Sequence, residues 1–208
     1  ELGLGRKGLK LPTGLRSGQK LGIMLRNLTL PVRTVDDFDD LPIPFRAVAT
    51  DIATGQKVVL DHGDLARALR ASMAIPTAFS AVEIDGKLLV DGGVSDNVPV
   101  DVVREMGADV VIAIDIGSPL IAGTEVGRSY ITILSQTLGF MTRANMAPQL
   151  AAADLVITPA VADFGTLEFS AGREIIAKGE EEARKLADNG YSVSSIRGGM
   201  IAWDHARS

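Results

Sequence analysis

The chain has 208 residues, 46% of them hydrophobic and 23% charged, which is enough apolar content to bury the core of one domain and too much for a disordered chain. It contains no cysteine, which excludes disulfides, thiol catalysis and cysteine metal sites and argues against redox chemistry. A net charge of −5 with pI near 5.1 argues against a nucleic-acid footprint, and no apolar run approaches the roughly 20 residues of a membrane span.

The first 35 residues read as a glycine-punctuated segment followed by a helix around Gly18 to Asn27, with Leu21, Met24 and Leu25 on its apolar face. Gly3-x-Gly5-x-x-Gly8 imitates a dinucleotide fingerprint, but no apolar strand precedes it and no acidic residue follows at the ribose distance, so turn chemistry accounts for it. Arg6, Lys7, Lys10, Arg16 and Lys20 form either a solvated charged face or a patch for anionic lipid headgroups at a peripheral membrane surface. Phe45 to Thr50 and Lys57 to Leu60 read as strands around the turn Asp51-Ile-Ala-Thr-Gly55, and Asp64 to Met73 as a helix.

Two Asp-Gly pairs come next, and they read differently. Asp85-Gly86 joins Ala81–Ile84 to Lys87–Val90, two short apolar runs, as a hairpin turn does. Asp91-Gly-Gly-Val-Ser-Asp-Asn-Val-Pro-Val100 instead ends a strand on a carboxylate, removes two Cβ atoms at Gly92 and Gly93, and leads into an amphipathic segment from Pro99 to Met106 closed by Gly107. Spacing alone leaves a structural turn and a catalytic acid both open at Asp91.

Asp109 to Ile116 is a near-continuous apolar strand of the kind covered on both faces in a parallel sheet. Val126 to Met146 has helical periodicity, with Ile131, Leu134, Leu138 and Met141 as a stripe for core packing or for an acyl pocket. Leu155 to Thr158 reads as a strand, and Ala171 to Ala187 as a helix burying Ile175, Ile176, Ala183 and Leu186 with Glu180 to Glu182 outward. Strands alternating with helices predict an α/β three-layer sandwich around a mainly parallel sheet.

Several blocks, in order, resemble the C-terminal two-thirds of a bacterial patatin-like phospholipase domain: Leu41-Pro-Ile-Pro-Phe-Arg-Ala-Val-Ala-Thr-Asp-Ile52, Arg70-Ala-Ser-Met-Ala-Ile-Pro76, Leu88-Leu-Val-Asp-Gly-Gly93 with Asn97 and Pro99, and Met106-Gly-Ala-Asp-Val-Val-Ile-Ala-Ile-Asp115. The resemblance implies a serine hydrolase acting on phospholipids or other acyl-ester lipids without metal or organic cofactor. It implies a Ser-Asp dyad with Asp91 as the base and Asp91, Gly92 and Gly93 as the motif. A carboxylate suffices for this where partial burial raises its basicity.

The nucleophile elbow of such an enzyme is Gly-x-Ser-x-Gly, and no such pentad occurs in these residues. Ser95 lacks the second glycine, Ser118 precedes Pro119 and Ser72 sits inside a helix, while His62 and His205 read as surface residues. The chain is therefore expected to be a fragment, residues 1–188 of it patatin-like and 189–208 a tail or linker, inactive as it stands. In the tail, Ile196-Arg-Gly-Gly-Met-Ile-Ala-Trp203 is similar to the closing segment of a rhodanese domain, whereas Tyr191-Ser-Val-Ser194 followed by Ala202-Trp203 resembles the segment that ends bacterial patatin domains preceding an outer-membrane barrel. The second is preferred, because the preceding helix matches the patatin ending, and it implies export. Two alternatives stand beside the enzyme: a non-catalytic lipid-binding or scaffolding piece of the same fold, and a nucleotide-binding α/β domain.

Overall fold

The computed structural model describes residues 3–5, 8–10, 18–76, 78–117, 130–164, 169–188, 193–196 and 200–203. Strands β1 (Gly3–Gly5) and β2 (Gly8–Lys10) pair antiparallel, with Gly5 opposite Gly8, so the fingerprint-like glycines sit in a hairpin. Helix α1 (Gln19–Leu28) is followed by β3 (Ala47–Asp51), β4 (Lys57–Leu60), α2 (Leu65–Ser72), β5 (Val82–Ile84), β6 (Lys87–Asp91) and α3 (Val100–Glu105). Then come β7 (Ile112–Ile114), the long α4 (Tyr130–Ala152), β8 (Leu155–Ile157), α5 (Gly172–Asp188) and a closing antiparallel hairpin of β9 (Val193–Ile196) and β10 (Met200–Trp203).

The α/β class expected from the sequence is the class observed. Its sheet pairing differs from the mainly parallel one expected, for a reason of chain length. β4, β3, β6 and β5 form a four-stranded sheet in that order, antiparallel at every pairing; within β3–β4 and β5–β6 the connections, residues 52–56 and the pair Asp85-Gly86, are far too short for the crossover a parallel pair requires. Among the described residues the one parallel pairing, β7 with β8, is the one whose connection contains a long helix, α4.

β3 is buried along its whole length, between β4 and β6 and beneath α2. Its small residues Ala47 and Ala49 meet Ala68 and Ala71 of α2, and Phe38, Leu60 and Leu89 complete this core. The Asp64 carboxylate caps α2 by accepting the Arg67 N–H at 3.0 Å, which fixes where the helix starts. A second core joins Val98, Val100, Val111, Ala113 and Met146, fastening α3, β7 and α4 together.

Several expected buried positions are exposed. Asp109–Ile116 shortens to β7, with Ile114 at its end and Ile116 beyond it both exposed; among the described residues β7 pairs only with β8, and it is β3 that is buried along its whole length. On α1 only Leu25 of the expected face is buried, and Met24 is exposed. On α4 Leu134 and Met141 are exposed, and the helix runs past Met146 and through Pro148 to Ala152; the side chain of Ile131 and residues 118–129 lie outside the described residues. On α5 Ile176 is exposed while Ile175 and Ala183 are half-buried, and the side chain of Leu186 lies outside the described residues.

Candidate active site

β6 ends on Asp91, paired with Ala49 at the middle of β3, so its backbone is anchored on the sheet where its side chain leaves it. The Asp91 N–H donates to the Ala74 carbonyl at 3.0 Å, and the Thr50 hydroxyl donates to the Asp91 carbonyl at 2.9 Å. A single 3₁₀ turn, Gly92–Val94, follows, and Asp91 caps it: Oδ1 accepts the Gly93 N–H at 2.8 Å. Oδ2 makes no hydrogen bond among the described residues and remains available to a reacting group.

Burial raises the Asp91 pKa above the ordinary aspartate value, and the Gly93 N–H only partly opposes that rise. A carboxylate whose ionised form is disfavoured is a better proton acceptor.

The two glycines have separate physical roles. A Cβ on Gly92 would stand 2.7 Å from the Val48 carbonyl carbon and closer still to its oxygen, so this residue permits the close approach of β3. A Cβ on Gly93 would stand 2.7 Å from Asn97 Oδ1 and 3.1 Å from Asp91 Oδ1, so this residue leaves room for the carboxylate itself.

One face of α4 holds the turn. The Thr142 hydroxyl donates to the Gly93 carbonyl at 2.9 Å and Asn145 Nδ2 to the Val94 carbonyl at 3.1 Å. Gln149 reaches the next residues, donating through Nε2 to Asp96 Oδ2 at 3.3 Å and accepting the Asp101 N–H at 3.1 Å. Lys57 Nζ joins the same cluster, 2.9 Å from Asp96 and 2.5 Å from Asp101. Burial works to lower the Lys57 pKa, but the bonds to Asp101 and Asp96 outweigh it and hold the ammonium above its usual value. These polar residues at helical spacing went unrecognised in the sequence because α4 reads there as an apolar stripe. Their signal was the recurrence of Thr142, Asn145 and Gln149 on one helix face.

Asp91 opens onto a cleft of about 580 Å³ lined also by Ile75, Pro76, Ile116, Leu138 and Met146. Leu138 comes from the stripe of α4. Arg143 and Asp115 bring charge to the same cleft. Its apolar walls suit an acyl chain lying against a carboxylate.

The other sequence candidates stay apart from this cleft or belong to its scaffold. Ser95 Oγ lies 2.8 Å from Thr50 Oγ1 and 3.4 Å from the Gly92 carbonyl, where it ties the loop to β3. Ser72 belongs to α2, and Ser118 and His205 lie outside the described residues. His62 is exposed, 2.5 Å from Asp61, whose carboxylate raises its pKa. No group of three metal-ligating side chains occurs among the described residues.

The family model for patatin-like phospholipase matches residues 2–104, a span that contains Asp91, Gly92 and Gly93. The chain carries a patatin-like phospholipase domain. It is 37% identical over 114 residues, 55% of this chain and 29% of the relative, to proteins of Mycobacterium bovis and Mycobacterium tuberculosis each named as an uncharacterized NTE family protein. It is 46% identical over 82 residues, 38% of this chain and 6% of the relative, to patatin-like phospholipase domain-containing protein 7 of Mus musculus. The chain thus spans less than a third of the length of these relatives. The patatin match ends at Arg104, so β7, α4 and the cleft wall they supply lie beyond it.

Proposed function

We propose that this patatin-like domain contributes the general base of a serine hydrolase that cleaves acyl esters of phospholipids or related lipids. The observation that carries the reading is the Asp91 carboxylate: burial raises its basicity, one oxygen is fixed by the Gly93 N–H while the other has no hydrogen bond among the described residues, and the residue lines a largely apolar cleft.

In this mechanism Asp91 Oδ2 accepts the proton of a serine hydroxyl as that oxygen attacks the ester carbonyl. The carboxyl then returns the proton to the departing alcohol, and an acyl-serine remains. Asp91 next takes a proton from water, the hydroxide equivalent attacks the acyl-serine, and as the acyl–serine bond breaks Asp91 returns that proton to the serine oxygen, releasing the fatty acid. No step calls for a metal or an organic cofactor. The turn bonds to Gly93 and Val94 from α4 keep the carboxylate in place throughout.

A serine on a Gly-x-Ser-x-Gly elbow does not occur in the 208 residues, so the reading assigns the nucleophile to sequence outside them and expects the chain alone to release no product. The same absence favours one second reading, in which the cleft holds a fatty acid without ester turnover.

The test is to incubate the full-length protein with phosphatidylcholine vesicles and with p-nitrophenyl butyrate, with and without a fluorophosphonate. Fatty-acid release, abolished by one covalent adduct on a serine, is expected. Saturable fatty-acid binding with no release from either ester would establish the second reading instead.

A further inference from the structure

We infer that α1 and the turn after it form a docking surface for an anionic lipid bilayer. The inference extends beyond ester hydrolysis, since it concerns how the protein reaches a membrane and is read without turnover.

Charge points to the partner. Between Glu1 and Asp36 the sequence has Arg6, Lys7, Lys10, Arg16, Lys20, Arg26 and Arg33 and no acidic residue, in a chain whose net charge is −5. A protein repelled overall by an anionic surface thus carries one segment attracted to it. Lys20, Arg26 and Arg33 are exposed, and their side chains form no ion pair among the described residues.

Exposure points to the same surface. On α1 Ile23 is 58% exposed, Met24 51% and Leu28 69%, and Leu30 in the following 3₁₀ turn is 57% exposed. Only Leu25 of the helix is buried. Helical spacing puts Lys20, Met24 and Leu28 along one outward row, with Ile23 and Asn27 beside it. Large apolar side chains interleaved with cations and free of carboxylates suit the boundary between headgroups and acyl chains.

Beside this row lies a cleft of about 410 Å³ lined by Arg26, Arg33, Thr29, Thr34 and Gly63. Asp36 and Asp64 also line it, Asp64 with one carboxylate oxygen already bonded to the Arg67 N–H. The two guanidinium groups offer a headgroup phosphate a place at the edge of the apolar row.

The test is cosedimentation of the full-length protein with phosphatidylcholine vesicles and with vesicles of phosphatidylcholine and phosphatidylglycerol at 3:1, at low and high salt. The account expects binding to the anionic vesicles, weakened by salt. It expects a loss on the order of tenfold for Arg26→Ala with Arg33→Ala, and a several-fold loss for Met24→Ser with Leu28→Ser. These side chains are exposed, so the melting temperature and hydrolysis of soluble p-nitrophenyl butyrate should stay at the parent values. That soluble-ester control separates failure of docking from failure of the hydrolase reading. Equal binding to neutral and anionic vesicles, undiminished binding by both double variants, or no vesicle binding because another part of the full-length chain covers α1 would each overturn the inference.

Discussion

The same dipeptide, Asp-Gly, occurs twice within eight residues and sits in two different surroundings. At Asp85-Gly86 both residues have positive φ, 50° and 75°, the side chain is exposed, and no atom comes within 4 Å of where a Gly86 Cβ would stand. Here glycine is required by a dihedral angle. At Asp91-Gly92 no positive φ occurs, the glycine lies against the β3 backbone, and the carboxylate is half-buried at the mouth of an apolar cleft. Here glycine is required by space. What distinguishes the two pairs is therefore their tertiary surroundings, not their composition.

The contrast makes predictions of decreasing size. In the full-length protein Asp91→Asn should lower ester turnover by about 10²–10⁴-fold, the range set by removal of a general base. Asp85→Asn should leave turnover at the parent value, since Asn tolerates the left-handed conformation. Gly92→Ala must push β3 away or displace the turn, and we expect a loss of about 3 kcal/mol in chemical denaturation. Gly86→Ala meets no atom and has only its positive φ to accommodate, about 1 kcal/mol. Equal losses at the two glycines would erase the distinction between them.

Asn145→Ala should cost about 1 kcal/mol by leaving the Val94 carbonyl without its partner, and should slow turnover by loosening the acid's turn. The smallest effect follows from the raised Asp91 pKa. A group whose folded pKa exceeds its unfolded value favours the fold most below the unfolded value, and that contribution is lost as pH rises through the folded pKa. Asp91→Asn should therefore melt slightly higher than the parent at neutral pH, with the gain vanishing below the ordinary aspartate pKa of about 3.9. A variant less stable at neutral pH would mean that the carboxylate is stabilised by a partner rather than strained by burial.

Much of this arrangement was legible in the sequence. The hairpin at Asp85-Gly86, the strand ending on Asp91, and the Gly107 cap at φ 90° all follow from local chemistry that the chain obeys. The sheet direction was less legible, because alternation of strands and helices is compatible with antiparallel pairing when individual connections are as short as those flanking β4 and β6. The α4 clamp left only the recurrence of polar residues on one helix face as a trace, for a different reason. Thr142 and Asn145 are unremarkable polar residues until long-range packing brings them against the Gly93 and Val94 carbonyls. The outward face of α1 failed as a core prediction because periodicity identifies an apolar row without saying what covers it.

The central claim is that Asp91, not its neighbour in sequence, is the base of an ester hydrolase. The most direct measurement is kcat/KM for p-nitrophenyl butyrate of the full-length protein, of Asp91→Asn and of Asp85→Asn, each confirmed folded by circular dichroism. The account predicts that only Asp91→Asn loses turnover, by at least about a hundredfold. Turnover by folded Asp91→Asn at the parent rate would contradict it.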